Sequence, residues 1–127
     1  MVKKVLLFVV SIFFILSCEK DENTYIKPLN EISACECDDP LNQLEWLHEL
    51  AYKSLNDKTG NYIGNIWIIS YENSDIIVTN MALGSGGILY YFFDCEGTQH
   101  PNSENLSLNE LNSRLTGSAI IFSSYMN

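Results

Sequence analysis

The hydrophobic period of this chain changes at Gly60, and that change places the fold in the α+β class. Before it, Leu41, Leu44, Leu47, Ala51 and Leu55 fall on one helical stripe, with Glu45, Glu49 and Lys53 on the other side. Glu49 and Lys53 are also spaced for an i,i+4 ion pair. Asp38-Asp39-Pro40 is a helix start: aspartate caps, and a proline in the first turn lacks only an N–H that would be unpaired anyway. Asn56 to Gly60 ends the helix, with Gly60 suited to a left-handed cap. Trp46 lies off the centre of the stripe and is expected to flank the core.

After Gly60 the pattern is extended. Tyr62 to Tyr71 is rich in Ile, Trp and Tyr, Glu72-Asn73-Ser74-Asp75 reads as a turn, and Ile76 to Leu83 as the next strand. Gly84-Ser85-Gly86-Gly87 breaks the pattern before a third strand over Ile88 to Phe93. A phosphate-cradling loop needs a helix N-terminus behind its glycines, so this one reads as a hairpin connection. Asp94-Cys95-Glu96-Gly97 makes a tight turn with Gly97 at a positive-φ position, and Thr98 to His100 forms a short returning strand stopped by Pro101. Ser107-Leu108-Asn109-Glu110 fits a capping box, with Leu108, Leu111 and Leu115 along one edge of a short helix. Ala119 to Tyr125 is the last strand. Short turns imply antiparallel neighbours. The expected fold is therefore α+β: an N-terminal helix on one face of an antiparallel meander of four to five strands, with a short C-terminal helix and a last strand.

Ahead of this domain, Lys3 and Lys4 form a positive start and Val5 to Leu16 an apolar run, closed by Ser17-Cys18 and followed at once by Glu19-Lys20-Asp21-Glu22. The run is too short to span a bilayer, which takes about 20 apolar residues, and has the proportions of a cleaved leader. It resembles lipoprotein signal peptides, which are cut before a cysteine whose thiol carries a diacylglycerol; that resemblance makes Cys18 the lipidated first residue. Two or three acyl chains anchor far more firmly than one. Lys20-Asp21-Glu22 resembles the surface-export signal of Bacteroidota lipoproteins. The chain is then expected at the outer membrane, lipid-anchored, on the cell surface rather than the periplasmic side. Residues 1–17 are the leader, 18–34 the lipidated cysteine and a flexible tether, and 35–127 one domain. As a coil the tether would hold that domain about 20 Å from the lipid.

Removing 17 of 127 residues leaves 110, enough for one domain. These carry five Lys and Arg against sixteen Asp and Glu, a formal charge of −11. A polyphosphate backbone requires a basic face, so nucleic acid is not an expected partner.

Three cysteines remain beside Cys18: Cys35, Cys37 and Cys95. In an oxidising compartment thiols pair, and an odd number leaves one over. A Cys35–Cys37 ring would be strained, so Cys95 is expected to pair with one of the two, closing a loop of roughly 60 residues and contributing about 2–4 kcal/mol. The alternatives are a redox pair or a metal site of Cys35, Cys37, Asp38 and Asp39, whose spacing is not that of ordinary metal ligands. No metal and no cofactor is expected.

Leu44-Glu45-Trp46-Leu47 together with Tyr91-Phe92-Phe93-Asp94-Cys95-Glu96-Gly97 resembles a group of small Bacteroidota lipoproteins of uncharacterised activity. The likeness runs from about Asp39 to Gly97. Members often carry further cysteines where this chain has Met81 to Gly87, which leaves the pairing open, and the resemblance implies no activity.

Catalytic constellations are weak. His48 and His100 are far apart, Glu45 and Glu49 lie on the charged side of the helix without the apolar setting that raises an acid's pKa, and a Cys95–His nucleophile competes with the disulfide. The expected function is a lipid-anchored binding domain, not an enzyme. The aromatic strand residues Trp67, Tyr71, Tyr90, Tyr91 and Phe93 are its candidate surface for a glycan or protein ligand, if they are not spent in the core. The alternative is a small inhibitor of an extracytoplasmic hydrolase, using Gly84 to Gly87 as the inserted loop.

Overall fold

The computed structural model describes residues 24–84, 90–99 and 106–126. Its architecture is α+β, a four-stranded antiparallel sheet with a few helices. In chain order these are α1 (Pro40–Gln43), α2 (Glu45–Leu55), β1 (Asn65–Tyr71), β2 (Ser74–Thr79), β3 (Tyr91–Phe93), α3 (Leu108–Arg114) and β4 (Ile120–Ser123), with a final 3-10 turn at Ser124–Met126.

The stripe read as one helix is two, because Leu44 takes an extended conformation, φ −87° and ψ 110°. An unbroken helix turns about 100° per residue, which would set Leu41 and Leu47 roughly 120° apart. The break lets both be fully buried in one cluster with Ala51, whereas Leu55 at the end of the stripe is exposed. Asp39 occupies the cap position without a side-chain cap bond; its Oδ2 accepts from Asn42 Nδ2 at 2.9 Å instead.

The sheet order is β3-β2-β1-β4. Three strands form a meander, but the fourth returns by way of α3 to the free edge of β1, so the expected meander does not continue to the last strand. The β1–β2 turn is only Glu72-Asn73, with φ of 52° and 63°, and Ser74 already pairs with Tyr71. Positive φ at both central residues is the primed turn whose twist matches a hairpin. On β4, Ile66 opposes Phe122 and Trp67 opposes Ile120, leaving Ile121 as an extra residue. Such a bulge breaks the alternation of faces, and Ile121 and Phe122 both enter the same core cluster.

Both faces of the sheet are covered. Ile66, Ile68 and Ile77 pack with Leu41, Leu47, Ala51, Met81 and Phe122 on the side of α2. Trp67, Ile69, Val78 and Phe92 pack with Leu106 and Leu111 on the side of α3. The alternation along β1 thus feeds two layers rather than one core and one wet face. At α3, Ser107 Oγ accepts from Glu110 N at 3.1 Å, the half of the capping box contributed by the serine.

Residues 24–34, expected to be part of a flexible tether, are packed on the domain. From Thr24 onward the chain is a strap on the domain: Ile26 is buried, its N–H donates to Asn42 Oδ1 at 2.9 Å and its carbonyl accepts from Asn42 Nδ2 at 2.7 Å. Leu29 N–H donates to Ile121 O at 2.9 Å, and His48 Nε2 donates to Thr24 O at 2.7 Å. A carbonyl only accepts, so Nε2 is the donor in that bond, and the buried imidazole has a structural task. Cys18, Lys20, Asp21 and Glu22 lie outside the described residues, as do Ser85 to Leu89 and His100.

A candidate binding cleft beside the disulfide hairpin

Cys35 and Cys95 are joined, with Cα atoms 5.5 Å apart and a sequence separation of 60. Among the described residues Cys37 is the free thiol. The bond ties a two-residue hairpin to the turn after β3: Ala34 N–H donates to Cys37 O at 3.0 Å and Cys37 N–H to Ala34 O at 2.8 Å. At its tip Cys35 and Glu36 have φ of 55° and 60°, and Cys35 N–H donates to Asp75 Oδ2 at 2.9 Å. Asp75 is also the acid that lies with the two bonded sulfurs. With both sulfurs committed to each other, that group keeps no thiol to offer a soft metal, and the set Cys35, Cys37, Asp38 and Asp39 keeps only that of Cys37.

The five aromatic residues expected to share a surface are divided between the two layers. Trp67 is buried in the α3 layer, where Tyr90 meets its ring edge-on at 6.2 Å. Tyr71 is half-buried in the same layer beneath the Arg114 guanidinium, 5.5 Å from its ring; desolvation first, then the charge of Glu72, pushes its hydroxyl above the ordinary tyrosine value. Tyr91 is buried, with its hydroxyl donating to Ala82 O at 3.3 Å, and stacks at 6.3 Å on Phe93. Phe93 in turn lies 5.5 Å from Trp46 in the α2 layer. Successive side chains of a strand point to opposite faces, so an aromatic run along β3 cannot converge on one ligand. This corrects the expectation of a contiguous aromatic surface.

What the fold does open is a cleft of about 370 Å³ between the strap and the start of α1. Pro40, Leu41, Ile32 and Ile121 give it an apolar lining, while Tyr25, Asn30, Glu31, Ser33, Asp38 and Asp39 supply polar groups. Asn30 is placed by the fold of β4: its Nδ2 donates to Gly117 O and Ile120 O, both at 2.7 Å. Both amide hydrogens are thereby used, leaving the side-chain oxygen to accept. Carboxylates only accept when ionised, and among the described residues that line the cleft there is no cation. The accessible polar groups are therefore rich in acceptors and poor in donors. Asp39 Oδ1 is different: it is buried without a hydrogen-bond partner. Tyr25 is two-thirds exposed, a ring held at the rim rather than packed away.

Sequence reasoning missed this site because most of its wall comes from 25–33, a stretch with no sustained period. The one local signal is the spacing of Ile26, Leu29 and Ile32 among polar residues. No family model matches this chain, and neither a curated protein nor a solved structure does.

Proposed function

We propose that this chain is a lipid-anchored extracytoplasmic binding domain whose ligand seats in the cleft between the strap and α1. The observation that carries the binding reading is the imbalance of that cleft, an apolar lining with acceptor-rich walls and an exposed tyrosine at the rim. Its volume lies at the small end of the range for ligand pockets. Such walls suit a ligand that brings donors, the hydroxyls of a glycan or the amines of a protein side chain, with Tyr25 as a platform for its apolar face.

The leader supports the anchor. On this reading Cys18 carries the lipid, Lys20-Asp21-Glu22 directs the protein to the cell surface at the outer membrane, and the α+β domain, with its N-terminal helices on the sheet, is the cargo. The membrane is one partner through the anchor and a glycan or protein the other.

Two experiments test it. Labelled fatty acid is expected to enter the wild-type chain and not the Cys18→Ser variant; equal labelling overturns the anchor. On arrays of glycans and of lysine- or arginine-bearing peptides, a hit is expected to weaken at least about tenfold for Tyr25→Ala combined with Asp38→Asn, a loss of about 1.4 kcal/mol. Unchanged binding by that variant removes the cleft from the reading.

A further inference from the structure

Among the described residues one cysteine, Cys37, is free, and it lies two residues from one end of the Cys35–Cys95 bond. It sits across a hairpin tip from Cys35, and its Sγ folds back to the carbonyl oxygen of Cys35 at 3.4 Å. Within one residue a carbonyl oxygen and its own Sγ are at most about 5 Å apart by covalent geometry. The Cys37 thiol is thus within about 8 Å of the disulfide, held there by a turn with both ladder bonds made. The residue is partly exposed.

We propose that Cys37 is an exchange site for this disulfide, and that the chain interconverts between a Cys35–Cys95 and a Cys37–Cys95 form. The Cys37 thiolate attacks Cys95 Sγ; the Cys37–Cys95 bond forms as the Cys35–Cys95 bond breaks, and Cys35 leaves as the thiolate and takes up the proton. Nothing is oxidised or reduced overall, so no outside oxidant is needed. Attack on Cys35 instead would close a ring of only three residues. Two features favour the Cys35 form as the resting one: Asp75 Oδ2 receives the Cys35 N–H, and the Cys35 bond lies at the tip of a complete hairpin. Against it stands the left-handed backbone at Cys35 and Glu36, neither of them a residue that favours that region. Moving the tie to Cys37 draws it next to Asp38 and Asp39, which line the cleft. That last consequence rests on the binding reading; the exchange itself does not.

The test is a linkage map of the full chain extracted from membranes. Samples are held at about pH 8.5, where an ordinary thiol is substantially ionised, then alkylated with iodoacetamide and cut with a glutamate-specific protease. Cleavage after Glu36 separates Cys35 from Cys37. Alkylated Cys35 and a Cys37–Cys95 peptide pair are expected to accumulate with time. Label confined to Cys37, with Cys35–Cys95 as the sole linkage, overturns the proposal, and so does Cys37 found only in a bridge between two chains. A variant guards against slow exchange: Cys35→Ser in a glutathione buffer is expected to form Cys37–Cys95. If Cys37 and Cys95 both stay alkylatable in that variant while its thermal unfolding remains cooperative, the hairpin cannot deliver Cys37 and the proposal fails. If the variant is unfolded, the linkage map of the wild type decides.

Discussion

Trp46 and Cys95 are held together by a hydrogen bond: the indole Nε1–H donates to the Cys95 carbonyl at 2.9 Å. The bond fastens α2 to the turn after β3 at the residue that also carries the disulfide. Asp94 Oδ1 shapes the same turn by accepting from Glu96 N at 2.9 Å and Thr98 N at 3.0 Å. The two short motifs around Trp46 and Cys95, nearly fifty residues apart, are thus one contact.

That contact leaves no room at Gly97. A Cβ there would lie 2.8 Å from Cγ and Cδ2 of Trp46, and the residue has φ +85°. Gly97→Ala combines overpacking with a left-handed backbone that L side chains avoid. Chemical denaturation is expected to show a loss of about 2–3 kcal/mol, together with a change in the tryptophan emission as the ring is displaced.

Removing the tie between Cys35 and Cys95 releases a loop of about 60 residues in the unfolded chain. Cys95→Ser is expected to lower stability by about 2–4 kcal/mol, read as a fall in the thermal midpoint. Cys37→Ser keeps the Cys35–Cys95 bond and is expected to stay within about 0.5 kcal/mol of wild type.

Asn42 decides whether 24–34 is a strap or a tether. Its side chain bonds both the N–H and the carbonyl of Ile26, as a neighbouring strand would. Losing two bonds of about 1 kcal/mol each in Asn42→Ala is expected to speed amide exchange of Ile26 and Leu29 roughly tenfold or more, with β1 unaffected. Equal exchange in both proteins would show that packing of Ile26 alone holds the segment.

Asp57 supplies the pH dependence. Its carboxylate gathers Thr59 Oγ1 at 2.6 Å and the N–H groups of Thr59, Gly60 and Tyr62, which hold its pKa down at about 2, against 3.8, with the Thr59 hydroxyl the largest cause. A depressed carboxylate pKa stabilises the fold above the unfolded value, and the contribution is lost as pH falls from about 4 through about 2. Asp57→Asn is expected to lower the thermal midpoint at pH 7, and its gap from wild type should narrow steadily below pH 4. A gap that is constant across that range would assign the effect to geometry and not to charge.

The parts of this fold legible in the sequence are those set by neighbours along the chain. An extended run within Tyr62 to Tyr71, a turn within Glu72 to Asp75, the glycine at position 97 and the serine cap of α3 each follow from a pattern or a dihedral preference within a few residues, as does the apolar stripe from Leu41 to Leu55, though not its break at Leu44 or the exposure of Leu55. That a tie would reach Cys95 was also legible, from the count of cysteines and the ring strain of a direct Cys35–Cys37 bond.

What the tertiary structure decided were choices among distant surfaces. Cys35 rather than Cys37 bonds Cys95 where Asp75 anchors the hairpin tip. β4 adds to β1 rather than to β3, with a bulge that turns Ile121 inward. The strand aromatics divide between two layers because α3 covers the face that local alternation leaves open. The strap, and with it the cleft, exists because Asn42 and β4 offer Ile26 and Leu29 hydrogen bonds and cover that 24–34 cannot make within itself. Local sequence sets which residues are apolar and which backbone turns are cheap; which apolar faces meet depends on the joint burial of segments up to 90 residues apart.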